Sequence, residues 1–181
     1  MAAQPNDKLY STRLGIPGFL VVQDILDLTN KTTFLRHSVA AGTNGGSFTA
    51  GDDIGNWGRL RTLNTQTGDT SFCTLNAVTS QFVIQPGKYL FDGVQVPYRI
   101  EESRGALRDV TNGANLIVGE NTYNNRSEIV QFQDIVEFSS VTTLEMRLKG
   151  DRTRNNTGFG LGTGFDNITP NIFATLRIVK L

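Results

Sequence analysis

The sequence predicts an all-β fold: a two-sheet antiparallel jelly-roll sandwich in residues 32–181, preceded by an extended N-terminal arm in residues 1–31. Three observations predict it. Short runs that alternate apolar and polar residues recur along the chain. Clusters of Gly, Asn, Asp and Ser separate them, at about the spacing that sandwiches require. No helical period is sustained anywhere. At 181 residues the chain suits one domain with a self-sufficient core.

The arm differs in character from the head. Leu9, Leu14, Ile16, Phe19, Leu20 and Val22 are scattered among Pro5, Gly15, Pro17 and Gly18. Such a stretch reads as an extended segment with room for one helical turn near Gln23. Apolar groups at this density are costly to leave wet, so the arm is expected to dock on a neighbour, with Phe19 and Leu20 as contacts. Heptads and Gly-X-Y triplets are both absent, which leaves no coiled-coil or collagen stalk in this chain.

The head begins with a strand over Phe34 to Val39, closed by the turn cluster Gly42 to Gly46. A loop over Thr49 to Gly58 comes next. Arg59 to Thr65 then alternates, with Arg59, Arg61 and Leu63 on one face, and Ser71 to Ala77 is the next candidate. The stretch Phe82 to Phe91 reads as strand, Pro86-Gly87 turn, strand, and predicts a central hairpin. A second hairpin is predicted at Asn112-Gly113, between Leu107–Val110 and Asn115–Val118. Further on, Val130, Phe132, Val136 and Phe138 share one face, and Leu144, Met146 and Leu148 alternate with Glu145, Arg147 and Lys149, so each strand has one buried side. Ile172 to Leu181 carries apolar groups on both faces, as a central strand or one bordering another subunit does.

The run Gly158-Phe159-Gly160-Leu161-Gly162-Thr163-Gly164-Phe165 has Gly-x-Gly spacings but no helix signal after it, which argues against a phosphate-binding loop. Read as a strand, it puts all its glycines on one face, open to a close neighbour such as a second subunit.

The wording of the central stretch, an apolar strand ending in Pro86-Gly87 and continuing as Tyr89-x-Phe91, resembles the signature of the globular heads of the complement and tumour-necrosis-factor superfamily, which are trimerising jelly rolls. The order of Trp57-x-Arg59-x-Arg61-x-Leu63, that stretch, Thr111-Asn112-Gly113, Gly158-Phe159-Gly160 and Thr175-x-Arg177-Ile178-x-Lys180 is similar to complement-type head domains of tailed-phage virion proteins. The resemblance covers Phe34 to Leu181. It implies a non-enzymatic homotrimer on a virion, without a cofactor, and marks Trp57, Arg59, Arg61, Phe173 and Arg177 as candidate trimer or partner contacts.

The chemistry points the same way. Seventeen basic residues balance 17 acidic ones, so net charge recruits neither nucleic acid nor an anionic membrane. The longest apolar run of the arm, Phe19 to Val22, is too short to insert in a membrane. A single cysteine, Cys73, forms no internal disulfide, which fits folding in a reducing cytoplasm. One histidine, His37, sits in an alternating strand and reads as structural rather than catalytic. Metal clusters of Cys and His are excluded by number, and the adjacent acids Asp52-Asp53 and Glu101-Glu102 read as solvated pairs before they read as calcium ligands. Two loops suit recognition of a glycan or protein: Tyr123, Asn124, Asn125 and Arg126, and then Arg154, Asn155 and Asn156.

The expectation is therefore a virion protein made in the host cytoplasm, a homotrimer whose arm fastens it to the major capsid protein or another virion protein. Capsid decoration comes first, because some thirty residues outside the head are too few for a shaft. The alternative is a tail-fibre or tail-tip adhesin head that binds a host surface glycan or protein.

Overall fold

The structure is a computed structural model and describes residues 31–53, 56–163 and 168–181. The arm expected over residues 1–31, with Phe19 and Leu20, lies outside the described residues but for Lys31. No helix occurs among the described residues.

Among the described residues, twelve strands form two sheets. One contains β1 (Thr32–Val39), β3 (Thr65–Gly68), β6 (Gly87–Gln95), β10 (Val130–Phe138) and β12 (Asn171–Lys180), in the order β10-β6-β12-β1-β3. The other contains β4 (Cys73–Asn76), β5 (Gln81–Ile84), β11 (Thr142–Gly150), β7 (Glu101–Asp109) and β8 (Ala114–Val118), in that spatial order. Here β2 (Arg59–Leu60) also pairs with β11, and β9 (Thr122–Asn124) with β7. Every pairing is antiparallel. Each sheet takes the name of an inner strand, the β6 sheet and the β11 sheet.

The alternation read from the sequence is what lets the sheets pack. Leu35, Tyr89, Phe91, Phe132, Phe138, Leu176 and Ile178 from the β6 sheet are buried against Phe82, Ile84, Leu107, Ile117, Leu144 and Met146. Tyr89 sits in an aromatic cluster, its ring centroid 5.5 Å from Phe72, 6.3 Å from Phe91 and 6.2 Å from Phe138. A smaller cluster of Phe48, Ile100, Val130 and Leu148, joined by Phe159, closes the sandwich beside it.

Four expectations are corrected. The stretch Phe82 to Phe91 is no hairpin, because β5 bonds to β4 and β11 while β6 bonds to β10 and β12. Pro86 sits in a link between sheets. The Tyr89 hydroxyl donates across it to the Gln85 carbonyl at 3.0 Å, and Gly87, at φ 147°, leaves room for that ring. A change of sheet keeps Phe82, Ile84, Tyr89 and Phe91 all facing one core.

The run Arg59 to Thr65 is likewise no continuous strand. Arg61 N–H donates to the Met146 carbonyl in the β11 sheet at 2.8 Å, while Asn64 N–H donates to the Arg36 carbonyl in the β6 sheet at 2.8 Å. The chain changes sheets between them.

The glycine run, described up to Thr163, is irregular rather than a strand, and its close neighbour is the chain itself. A Cβ on Gly158 would stand 2.3 Å from Phe48 Cβ, on Gly160 2.1 Å from a Phe173 ring carbon, and on Gly162 2.4 Å from the Thr43 carbonyl oxygen. Gly45 N–H donates to the Gly160 carbonyl at 2.9 Å, completing the match.

Strand β11 is buried on both sides: Glu145 and Arg147 are as inaccessible as Leu144 and Met146. Residues 49–53 and 56–58 cover its outward side.

Other expectations hold. The Asn112-Gly113 turn joins β7 to β8, with Asp109 opposite Ala114, Gly113 at φ 66° and Asp109 Oδ1 accepting from Asn112 N–H at 3.1 Å. Strand β12 is central, between β6 and β1. Its facing reverses at a bulge, where His37 pairs with Ala174 but Ser38 with Ile172, so Phe173 is buried and Ile172 exposed.

Candidate functional site

The two outer faces differ in chemistry. On the β6 sheet, a cross-strand row brings Ile135, Leu90 and Val179 side by side. Ile135 is 50% exposed and the other two are half-buried, so they form a short apolar strip, which the half-buried Phe34 adjoins from the next row. The rest of that next row is polar, with Arg177 opposite Asp92 and Asp92 opposite Gln133, and it separates the strip from Val94; the Arg36 guanidinium lies 5.0 Å from the Phe34 ring centre.

The outer face of the β11 sheet is ionic. Arg147 Nε donates to Glu145 Oε1 at 2.6 Å and its Nη1 donates to Asp53 Oδ2 at 2.9 Å and to the Gly58 carbonyl at 3.0 Å. Gln81 Nε2 donates to the other oxygen of Glu145 at 3.1 Å, and Arg108 lies 3.9 Å from Oε1. Arg59 pairs with Asp53, while Asp52 accepts from Gly58 N–H at 2.6 Å and from Lys149 Nζ at 3.0 Å. These bonds press residues 49–53 and 56–58 onto β11. Burial alone pushes the Asp53 carboxyl up, but the Arg59 hydrogen bond and the charges of Arg59 and Arg147 outweigh it, and the result lies below the ordinary value. The Gly58 hydrogen bond, then Lys149, lowers Asp52. Asp52 and Asp53, weighed as calcium ligands, are thus bound to cations of their own chain.

That loop carries Trp57 to the rim of a cleft of about 540 Å³, lined by Trp57, Glu102, Arg104, Asn121, Lys149 and Asp151 among others. Arg104 and Lys149 are opposite each other in register and form its floor. Lys149 Nζ lies 5.7 Å from the centre of the Trp57 ring, and Arg104 Nε donates to the Gly119 carbonyl at 2.8 Å. An aromatic face, two cations, carboxylates and an amide in one concavity suit a polyhydroxylated or amide-bearing surface group.

A second hollow, about 500 Å³, is lined by Tyr98, Arg99, Asn125, Arg126 and Ser127. Arg99 and Glu101 hold positive φ, 55° and 62°, on either side of the fully buried Ile100. Anchoring Ile100 in the core is what forces that backbone on its neighbours.

The structure therefore gathers part of the predicted set. Both loops are tied to residues 99–101: Arg152 pairs with Glu101 and Arg154 Nε donates to the Arg99 carbonyl at 2.9 Å, while Arg99 N–H donates to the Arg126 carbonyl at 3.1 Å. Asn125 and Arg126 share the second hollow, whereas Tyr123 is exposed on β9, opposite Glu102, and Asn124 lies opposite Glu101. Asn155 and Asn156 are exposed, and Asn156 N–H donates to Ser47 Oγ at 2.8 Å. Arg177 is exposed on the β6 sheet; Trp57 and Arg59 belong to the opposite side. Two candidates for trimer contacts, Arg61 and Phe173, are buried within their own chain and offer no surface to another. Arg61 leads the chain between the sheets, and the bulge turns Phe173 inward against Gly160. Arg104, Lys149 and Glu102 were missed, although their outward position in alternating strands was a signal for them.

His37 and Cys73 are both held in their neutral forms. Burial, followed by the Arg61 charge, holds His37 down at about 4, and burial pushes the Cys73 thiol up to about 12. At neutral pH the imidazole does not gain a proton and the thiol does not lose one.

No protein-family model matches the chain, and no curated protein matches it. Among solved structures it is similar to the globular domain of zebrafish complement 1qA protein, with a TM-score of 0.52 and 9% identity over 83% of this chain and 97% of that one. The fold is thus that of a complement C1q globular domain, a jelly roll.

Proposed function

We propose that this chain is the non-enzymatic, homotrimeric head of a tailed-phage virion protein, packed around a three-fold axis through the outer face of the β6 sheet. The observation that carries this reading is the contrast between that sheet's apolar strip and the ionic face opposite. Removing Ile135, Leu90, Val179 and Phe34 from water favours association by roughly 25 cal/mol for each Å² of apolar surface. Self-complementary packing by symmetry is the economical way to cover such a face. The solved complement head supports a head of this architecture. The virion setting comes from the order and spacing of the sequence motifs. In this reading residues 1–31 clamp the trimer to the major capsid protein or a neighbouring virion protein, and the head decorates the capsid.

A second reading places the same trimer at a fibre or tail tip. The cleft beneath Trp57 favours it, being a formed concavity suited to host glycan or protein. Sedimentation equilibrium at micromolar concentration tests the shared element, with a mass of three chains expected and a mass of one chain overturning it. Antibody labelling of intact virions viewed by electron microscopy separates the readings: label across the capsid faces supports decoration, and label confined to tail or fibre tips supports the adhesin. A chain lacking residues 1–31 is expected to fold and trimerise but to stay off the particle; incorporation would overturn the arm's role.

A further inference from the structure

Strand β7 turns Glu102 and Arg104 outward together, both exposed and both lining the cleft beneath Trp57. Tyr123, 59% exposed, stands opposite Glu102 on β9. Residues opposite each other in an antiparallel pair share a face, so a second aromatic ring joins Trp57 on this side of the sheet. Asn121 and Asp151 line the same cleft.

The two cations of the cleft differ in what they leave unused. Lys149 Nζ donates to Asp52 Oδ2 at 3.0 Å and lies 5.7 Å from the centre of the Trp57 ring, which holds the indole in place. Arg104 uses its Nε on the Gly119 carbonyl at 2.8 Å, which sets the plane of the guanidinium and leaves the Nη groups to other acceptors. Among the described residues no ion pair holds Glu102, Arg104 or Asp151. Opposite charges on one strand face thus stand unpaired beside a fixed aromatic ring.

Those unused groups select a ligand. A carboxylate only accepts hydrogen bonds and a guanidinium only donates them, whereas a hydroxyl does both. Two hydroxyls of a sugar ring can therefore serve both walls, and the C–H face of the ring suits the indole. Charge points the same way, because Glu102 and Asp151 balance Arg104 and Lys149. An ionised ligand would gain from one sign and be repelled by the other. At about 540 Å³ the cleft has the dimensions of a small-ligand site rather than of a protein interface.

We propose that the cleft beneath Trp57 binds an uncharged pyranose unit of a surface glycan, with Glu102 accepting from one ring hydroxyl and Arg104 donating to another. For its role this rests on the adhesin reading, and it narrows the partner to a glycan without charge at the bound unit.

Trp57 is the only tryptophan of the chain, so its fluorescence reports on this cleft alone. The full chain is titrated at neutral pH with glucose, galactose, mannose, rhamnose, N-acetylglucosamine and N-acetylgalactosamine, and with glucuronic acid and glucosamine as charged probes. At least one neutral sugar is expected to shift the emission saturably, and both charged probes to bind about tenfold more weakly or worse. Glu102→Ala and Arg104→Ala, at exposed positions, are each expected to weaken binding of that sugar about tenfold. The proposal is overturned by no saturable shift with any neutral sugar, by tighter binding of either charged probe, or by unchanged binding in both variants. Antibody labelling of virions decides the role separately. Label at the tips without a sugar response would discard this site and keep the adhesin, with a protein as its receptor. A sugar response with label across the capsid faces would keep the site and discard the tip.

Discussion

At the scale of single residues, two glycines with positive φ separate strain from crowding. Gly113 holds φ 66° with its nearest prospective contact at 3.5 Å, whereas Gly160 holds φ 142° with a Phe173 ring carbon 2.1 Å from where a Cβ would stand. Gly113→Ala should cost about 1 kcal/mol, the left-handed penalty alone. Gly160→Ala should cost about 3 kcal/mol or more, because the buried Phe173 has to move as well. Urea midpoints of the two variants check the ranking, and equal losses would contradict it. His37 gives a pH prediction. Its unfolded imidazole takes a proton near 6.5 and the folded one only near 4, so the unfolded chain binds more protons between those values. Stability is complete above about pH 6.5 and is lost as pH falls towards 4, by about 2 kcal/mol once solvent screening is allowed for. His37→Gln should flatten that slope. As the chain's one histidine, His37 also gives an unambiguous NMR titration, and a midpoint near 6.5 would refute its burial. A structural histidine was legible in the alternation of its strand. The burial of Arg61 with no ion-pair partner among the described residues was not, since alternation predicts which way a side chain points and never whether a carboxylate waits there.

At the scale of elements, periodicity recovered most strands but not the sheet to which each belongs. Alternation carries the facing of side chains, while the ladder partner depends on residues far away in the chain. Hence Phe82 to Phe91 read as a hairpin, although Pro86 marks a crossing between sheets. The same limit explains β11: Glu145 and Arg147 alternate as solvent-facing residues should, and nothing local announces the segment around Asp53 and Gly58 that seals them. Breaking this network from one side should be costly. Glu145→Ala takes one of two carboxylate partners from the guanidinium of Arg147, which keeps Asp53 but loses the acceptor of its Nε–H in a nearly inaccessible place, and about 3 kcal/mol of stability should be lost. Replacing both, as Glu145→Leu with Arg147→Met, removes the charges together and should cost clearly less. Chemical denaturation of the single and double variants checks the sign of the coupling, and additive losses would mean the pair is independent.

At the scale of the whole molecule, the candidate site was legible in pieces. The Asn-rich loops and Trp57 stood out by composition, yet their assembly into two hollows at the N-terminal end of β7 depends on β9 pairing with Glu101–Ser103 and on the Arg152–Glu101 ion pair. The proposed self-association face was hidden for a different reason: Leu90, Ile135 and Val179 lie in three strands far apart in sequence and become one strip only in register. That register supplies the test. Ile135→Glu puts a carboxylate into the strip without entering the core, because Ile135 is already 50% exposed and the folded monomer has little to lose. If three heads pack through this face, the added charge must be desolvated in the trimer and not in the monomer, which shifts the equilibrium towards single chains. Val78→Glu is the control, 95% exposed in the turn between β4 and β5 of the β11 sheet. Sedimentation velocity should show Ile135→Glu as a folded single chain and Val78→Glu as a trimer. The reverse pattern would move the three-fold axis to the ionic side, and with it the cleft beneath Trp57 would pass from the outer surface to the subunit boundary.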